Sequence, residues 1–138
     1  MKHIITSIIL LNCYLLHAQK TYVPDNNFEQ ALIDFGYDDV LDDSVLTANI
    51  SGVTSLDVGE KEISDLTGIA GFTALTSLSC DNNQLTALDV SNNTALTSLY
   101  CFVNPLTGLD VSNNTALTVL NCRTNQLTAL DVSANTAL

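Results

Sequence analysis

Asn83-Gln84-Leu85-Thr86-Ala87-Leu88-Asp89-Val90-Ser91-Asn92-Asn93-Thr94-Ala95-Leu96 decides the fold, because the chain writes it three times. It recurs at Asn104–Leu117, with Pro105 and Gly108 in place of glutamine and alanine, and at Asn125–Leu138, with Ala134 in place of asparagine. The period is 21 residues. Lining up Leu75, Leu96, Leu117 and Leu138 gives the frame L-x-x-L-x-C-x-x-N-x-L-x-x-L-x-V. A degenerate copy precedes it at Val53, Leu56, Val58, Lys61, Ile63 and Leu66. Self-similarity at this period is the mark of a solenoid, in which each unit buries its apolar side only by stacking on the next.

The local pattern gives each unit its shape. Leu78 and Cys80 alternate with Ser77, Ser79 and Asp81, the period-two signature of a short strand with one buried face. Successive strands then pair in parallel, while Leu85, Leu88 and Val90 fill the far side of the coil. Asn83, Asn104 and Asn125 are expected to form an inward ladder whose amides satisfy turn groups that no strand partner reaches. Lys61 holds the equivalent place in the first coil, so the ladder starts at Asn83. The segment Asp89–Ala95 is too short for a full helix and rich in turn-forming side chains, which predicts turns or single 3-10 turns.

These residues resemble the leucine-rich-repeat family, whose pattern L-x-x-L-x-L-x-x-N-x-L they match over residues 46–138. Ile63-Ser64-Asp65-Leu66-Thr67-Gly68-Ile69 is similar to internalin-type repeats, and the cysteine-bearing unit to repeats of secreted Bacteroidetes-type proteins. The resemblance implies an α/β solenoid with a parallel sheet on its concave face and turns on its convex face. It leaves the ligand open, because the family's ligands vary widely.

Working outward, Pro24–Gly36 reads as one helix capped by Asp25 or Asn26, with Phe28, Leu32 and Phe35 on one face. With Val40, Leu41, Val45 and Leu46 it is expected to cover the first hydrophobic layer, making 19–45 an N-terminal cap. Before it, Met1-Lys2-His3, the apolar run Ile4–Leu16 and Leu16-His17-Ala18 read as a secretory signal peptide over 1–18. Leu10-Leu11-Asn12-Cys13 is a faint lipoprotein box, disfavoured by the bulk of Asn12. No second apolar stretch reaches membrane-spanning length. The protein is therefore expected to be secreted or on the cell surface. At the other end Leu138 is the first leucine of an unfinished coil, which predicts a longer chain.

Beyond the signal the chain carries Lys20, Lys61 and Arg123 against fifteen acids, a formal charge of −12. Such a body repels nucleic-acid phosphates and anionic lipid, so neither is an expected partner. Both histidines, His3 and His17, leave with the signal, which removes Ser-His and Cys-His pairs and histidine metal ligands. Paired carboxylates remain, but they lie in repeated slots or in the cap. No catalytic residue, cofactor or resident metal is expected.

Three constellations need a structural account. Cys80, Cys101 and Cys122 sit at the third buried strand position. Strands lie about 4.8 Å apart, whereas disulfide Cβ atoms want about 3.8 Å. A zinc shared by all three would have to span about 9.6 Å with bonds of about 2.3 Å. A column of small buried thiols is expected instead. Asp89, Asp110 and Asp131 also stack, either because each accepts N–H bonds from its following turn or because calcium lies between coils. Asp38-Asp39 and Asp42-Asp43 lack a D-x-D-x-D-G loop and read as a solvated acidic surface.

The outward strand residues differ from the rest. Coil one offers Ser55, Asp57 and Gly59, coil two Ser77, Ser79 and Asp81, coil three Ser98, Tyr100 and Phe102, and coil four Val119, Asn121 and Arg123. The flanking repeat hardly varies, whereas this column changes from coil to coil. Ser79, Asp81, Ser98, Tyr100, Phe102, Asn121 and Arg123 are the candidate site for a protein or glycan. A stiff acidic spacer is the competing reading, favoured by the near-identity of the repeats.

Overall fold

A computed structural model describes residues 18–138; the signal-peptide reading, with Cys13 and both histidines, lies almost wholly outside them. The order of elements is β1 (Lys20–Tyr22), α1 (Asn26–Asp34), β2 (Ser44–Leu46), α2 (Thr47–Ile50), β3 (Ser55–Asp57), a 3-10 turn (Ile69–Gly71), β4 (Ser77–Ser79), β5 (Ser98–Tyr100) and β6 (Val119–Asn121). Strands β3 to β6 form one parallel sheet in sequence order, with Leu56, Leu78, Leu99 and Leu120 in one register. The chain is a leucine-rich-repeat solenoid.

The core is one continuous column from Val23 to Leu117. Strands β3 to β5 contribute their central leucines, Leu56, Leu78 and Leu99, followed by Val58, Cys80 and Cys101; the far side contributes Leu85, Val90, Leu106 and Val111. The convex side is made of turns, joined by a single bridge between Asp89 and Asp110. In each turn the aspartate Oδ1 accepts the N–H two residues on, Asp89 from Ser91, Asp110 from Ser112 and Asp131 from Ser133. Hydrogen bonds from these serines hold all three carboxyls below their ordinary pKa, outweighing the repulsion that Asp110 feels from Asp89 and Asp131.

Three side-chain ladders fasten coil to coil. Asn104 donates from Nδ2 to the carbonyls of Cys80 and Cys101 and accepts Leu85 N–H on Oδ1 at 3.0 Å. Asn125 repeats this with Cys101, Cys122 and Leu106, and Asn83 reaches back to Val58, Lys61 and Ile63 of coil one. A second ladder, not foreseen, stands in the convex turns. Asn93, Asn114 and Asn135 are buried and donate to Ile69 and Phe72, Val90 and Asn93, and Val111 and Asn114. Their Oδ1 atoms are buried without a donor, so this ladder is half-satisfied. In the third, the hydroxyls of Thr76, Thr97 and Thr118 each donate to the threonine carbonyl one coil back.

The cap departs from its sequence reading in instructive ways. Asp25 caps α1, its Oδ1 accepting Asn27 and Phe28 N–H. Its Oδ2 simultaneously accepts Ser64 N–H, Ser64 hydroxyl and Asp65 N–H from the first coil. Burial pushes this carboxyl up, but the Ser64, Phe28 and Asp65 hydrogen bonds prevail and its pKa falls below the ordinary value. Phe28 stacks on Phe72 at 6.4 Å, with Leu32 and Ala31 beside it. Phe35 is 43% exposed instead of buried, because α1 ends at Asp34 and Gly36 (φ 78°) turns the chain away. Val40, Leu41 and Leu46 are likewise exposed; Val23 and Val45 are the residues that seal the layer. The reason is Glu29, fully buried, whose Oε1 accepts Asp42 and Ser44 N–H and so fixes the loop between α1 and β2. Strands β1 and β2 pair antiparallel, Thr21 opposite Val45, an element the sequence reading did not contain.

Burial fades along the solenoid. Leu99 and Cys101 are sealed, Leu120 and Cys122 are half-buried, and Leu130 and Val132 are 37% and 39% exposed. Amide hydrogen exchange on the 138-residue chain should show protection falling from Cys101 towards Leu138; equal protection at both ends would contradict stability set by stacking. Asn104→Ala should leave buried turn groups unpaired and lower stability by roughly 1–3 kcal/mol, whereas exposed Asn92→Ala should lower it much less. Urea denaturation in which both variants unfold at one midpoint would remove Asn104 from its structural role.

Candidate functional site

Because the strands pair in register, their outward residues fall into rows across the concave face: Ser55, Ser77, Ser98 and Val119 at the strand starts, and beyond them two further rows. The first contains Asp57, Ser79, Tyr100 and Asn121. The hydrogen bonds Glu60 N–H to Asp81, Asn82 N–H to Phe102 and Val103 N–H to Arg123 carry the register past the strand ends. They set the second row as Gly59, Asp81, Phe102 and Arg123. All seven candidate residues lie on this face: Ser79, Asp81, Ser98, Tyr100, Phe102 and Asn121 are half-buried, and Arg123 is exposed.

Charge is unevenly spread along the rows. At the N-terminal end the Ser79 hydroxyl donates to Asp81 Oδ1, Asn82 Nδ2 donates to Asp81 Oδ2 at 2.7 Å, and Gly59 N–H donates to Asp57 Oδ1 at 3.1 Å. Gly59 leaves a notch between the carboxylates. A Cβ there would stand 3.2 Å from Asp81 Oδ1 and 3.3 Å from Asp57 Oδ1. In the middle lie the two aromatic rings. At the C-terminal end the Arg123 guanidinium lies over the Phe102 ring, 4.9 Å from its centroid, a cation–π contact. Sequence spacing gives Arg123 an outward position in coil four but not this partner.

The structure adds Val103, which no pattern singled out. It is 38% exposed beside Phe102 and has φ 52°. Glu60, Asn82 and Thr124 adopt the same left-handed conformation at the same point of their coils. That conformation strains a β-branched residue by about 1–2 kcal/mol. The legible signal is valine in a slot where a sister repeat carries asparagine.

Behind this face Cys80 and Cys101 are fully buried and Cys122 half-buried, all three as free thiols. Burial pushes the Cys80 thiol well above its ordinary value. Burial, and then the neighbouring Cys122, push Cys101 up to about 12. Thiols so held are poor nucleophiles and act as apolar filling.

No family model matches the chain. It is 44% identical over 72 residues to internalin J of Listeria monocytogenes, a match covering 52% of this chain and 8% of the relative. The solved functional domain of an internalin J, described as including a cysteine ladder, superposes with a TM-score of 0.77 at 42% identity. That alignment covers 88% of this chain and 28% of that one. An internalin F structure from L. monocytogenes gives 0.74 at 25% identity, over 83% of this chain and 34% of that one. The chain thus spans a small part of the proteins it matches, and over that part it shares their repeat.

The thiol column makes its own prediction. In native protein Cys122 should react with a thiol reagent first, and Cys80 and Cys101 only on unfolding. Because the folded state favours the neutral thiol, the stability from Cys101 is whole below the ordinary value of 9.0 and erodes as pH rises towards about 12. Mass spectrometry finding a Cys80–Cys101 disulfide would overturn the parallel register assigned to these strands.

Proposed function

We propose that this internalin-like leucine-rich-repeat chain is a non-catalytic recognition module, secreted or on the cell surface, whose concave face binds a protein or glycan. The observation behind this reading is the contrast between a nearly invariant frame and a variable outward column with Tyr100 and Phe102 at its centre. Rings that carry both apolar area and a polar edge suit recognition, and a ring already ordered by Arg123 loses less entropy on binding. The acidic body argues against nucleic acid and anionic membrane as partners. Among the described residues no helix is long and apolar enough to cross a membrane. As the chain covers 28% of a matched internalin J domain, we read it as one segment of a longer binding surface.

A structural spacer is the second reading, favoured by the near-identity of the repeats from Asn83 to Leu138. The two readings part on mutation. Tyr100→Ala with Phe102→Ala should abolish capture of a protein or glycan from host or community extracts, on the order of 2 kcal/mol or more, with little change in folding. The convex control must be exposed Asn92→Ala, since Asn93 is buried and ties two coils together. Equal capture by wild type, double variant and control would end the concave-face reading, and no capture by any would favour the spacer.

A further inference from the structure

Resting on the concave-face reading, we infer that its ligand is a basic, extended polypeptide segment that crosses the strands with a cationic side chain at the Asp57–Asp81 end and an apolar side chain on Tyr100 and Phe102. The first argument is charge complementarity. The protein has three cations beyond residue 17, and each is engaged away from the acidic end of the face. Lys20 pairs with Asp42 at 2.8 Å, Lys61 lies over the Phe35 ring in the cap, and Arg123 lies over Phe102. Among the described residues no salt bridge reaches Asp57 or Asp81. Their hydrogen bonds come from Gly59 N–H, the Ser79 hydroxyl and the Asn82 amide, which orient the carboxylates without neutralising them.

Shape supplies the second argument. Gly59 opens the space between the two carboxylates, and any side chain there would crowd both oxygens within 3.2–3.3 Å. The third is spacing. Asp57 and Asp81 belong to adjacent coils, and the aromatic pair belongs to the next. The centre of the acidic pair therefore lies about one and a half strand spacings from the rings, on the order of 7 Å. Side chains at i and i+2 of an extended peptide point the same way about 6.6–6.8 Å apart. A lysine or arginine two residues from an aliphatic or aromatic residue matches that distance. Arg123 one coil further on repels a cation, so it fixes which end the basic side chain takes.

The test uses the 138-residue chain and a labelled synthetic peptide in which arginine and leucine alternate at every second position, threonine between them. Binding is read by fluorescence polarisation at low salt. Wild type should bind this peptide and not the analogue with glutamate in place of arginine. Asp57→Asn with Asp81→Asn should weaken binding at least tenfold, and Gly59→Ala, which keeps both charges, should weaken it severalfold. Asp34→Asn with Glu62→Gln removes the same net charge elsewhere and should change it less than twofold. No binding by wild type, or equal loss in the two charge-removing pairs, overturns the inference. If only Tyr100→Ala with Phe102→Ala abolishes binding, the concave-face reading stands and the cationic ligand falls. If neither the aromatic nor the acidic pair matters, both fail. Unchanged melting of each variant excludes unfolding as the cause.

Discussion

From the second coil on, the side-chain amide of one asparagine per coil is the joint on which the solenoid hangs. A parallel strand of three residues has to end abruptly and turn into the coil, and its backbone groups lose their strand partners at that point. Asn104 meets this need with one short side chain that both donates and accepts, bridging Cys80, Leu85 and Cys101 on two coils at once. Aspartate could only accept there, and a longer amide would carry more rotamer freedom to be lost. The joint works because the residue before each of these asparagines, Asn82, Val103 and Thr124, is left-handed, which aims the amide inward. The strain at Val103 and Thr124 is tolerated because these buried hydrogen bonds outweigh it.

With the frame fixed from inside, the outside is released. Leu99 and Cys101 must face the core, and the threonine and convex asparagine ladders bind the other two corners of the coil. Changes at Tyr100, Phe102 or Arg123 disturb none of these. That independence makes a concave column able to vary from coil to coil without a loss of fold, and it separates recognition from stability in this architecture.

The repeat, the strand faces, the thiol column and the first asparagine ladder were all legible in the sequence, because each depends on spacing that recurs every 21 residues. What was hidden depends on partners from elsewhere in the chain. Asn92 and Asn93 are adjacent and look alike as turn formers, yet only Asn93 is buried, and its Ile69 and Phe72 partners lie one coil back. Glu29 reads as a polar helix residue and is in fact buried, holding the loop that leads into β2. Phe35 reads as core and is exposed because a single left-handed glycine redirects the chain after it. The cation–π contact of Arg123 with Phe102 joins residues 21 positions apart, visible only once register is known.

The cap shows the same economy at the other end of the column. Asp25 serves two masters with its two oxygens, α1 through Oδ1 and the first coil through Oδ2. Because those bonds hold its pKa down, their contribution is complete above the ordinary carboxylate range and is lost as pH falls through the folded value. Acid therefore loosens the cap from the first coil at the point where Phe28 meets Phe72.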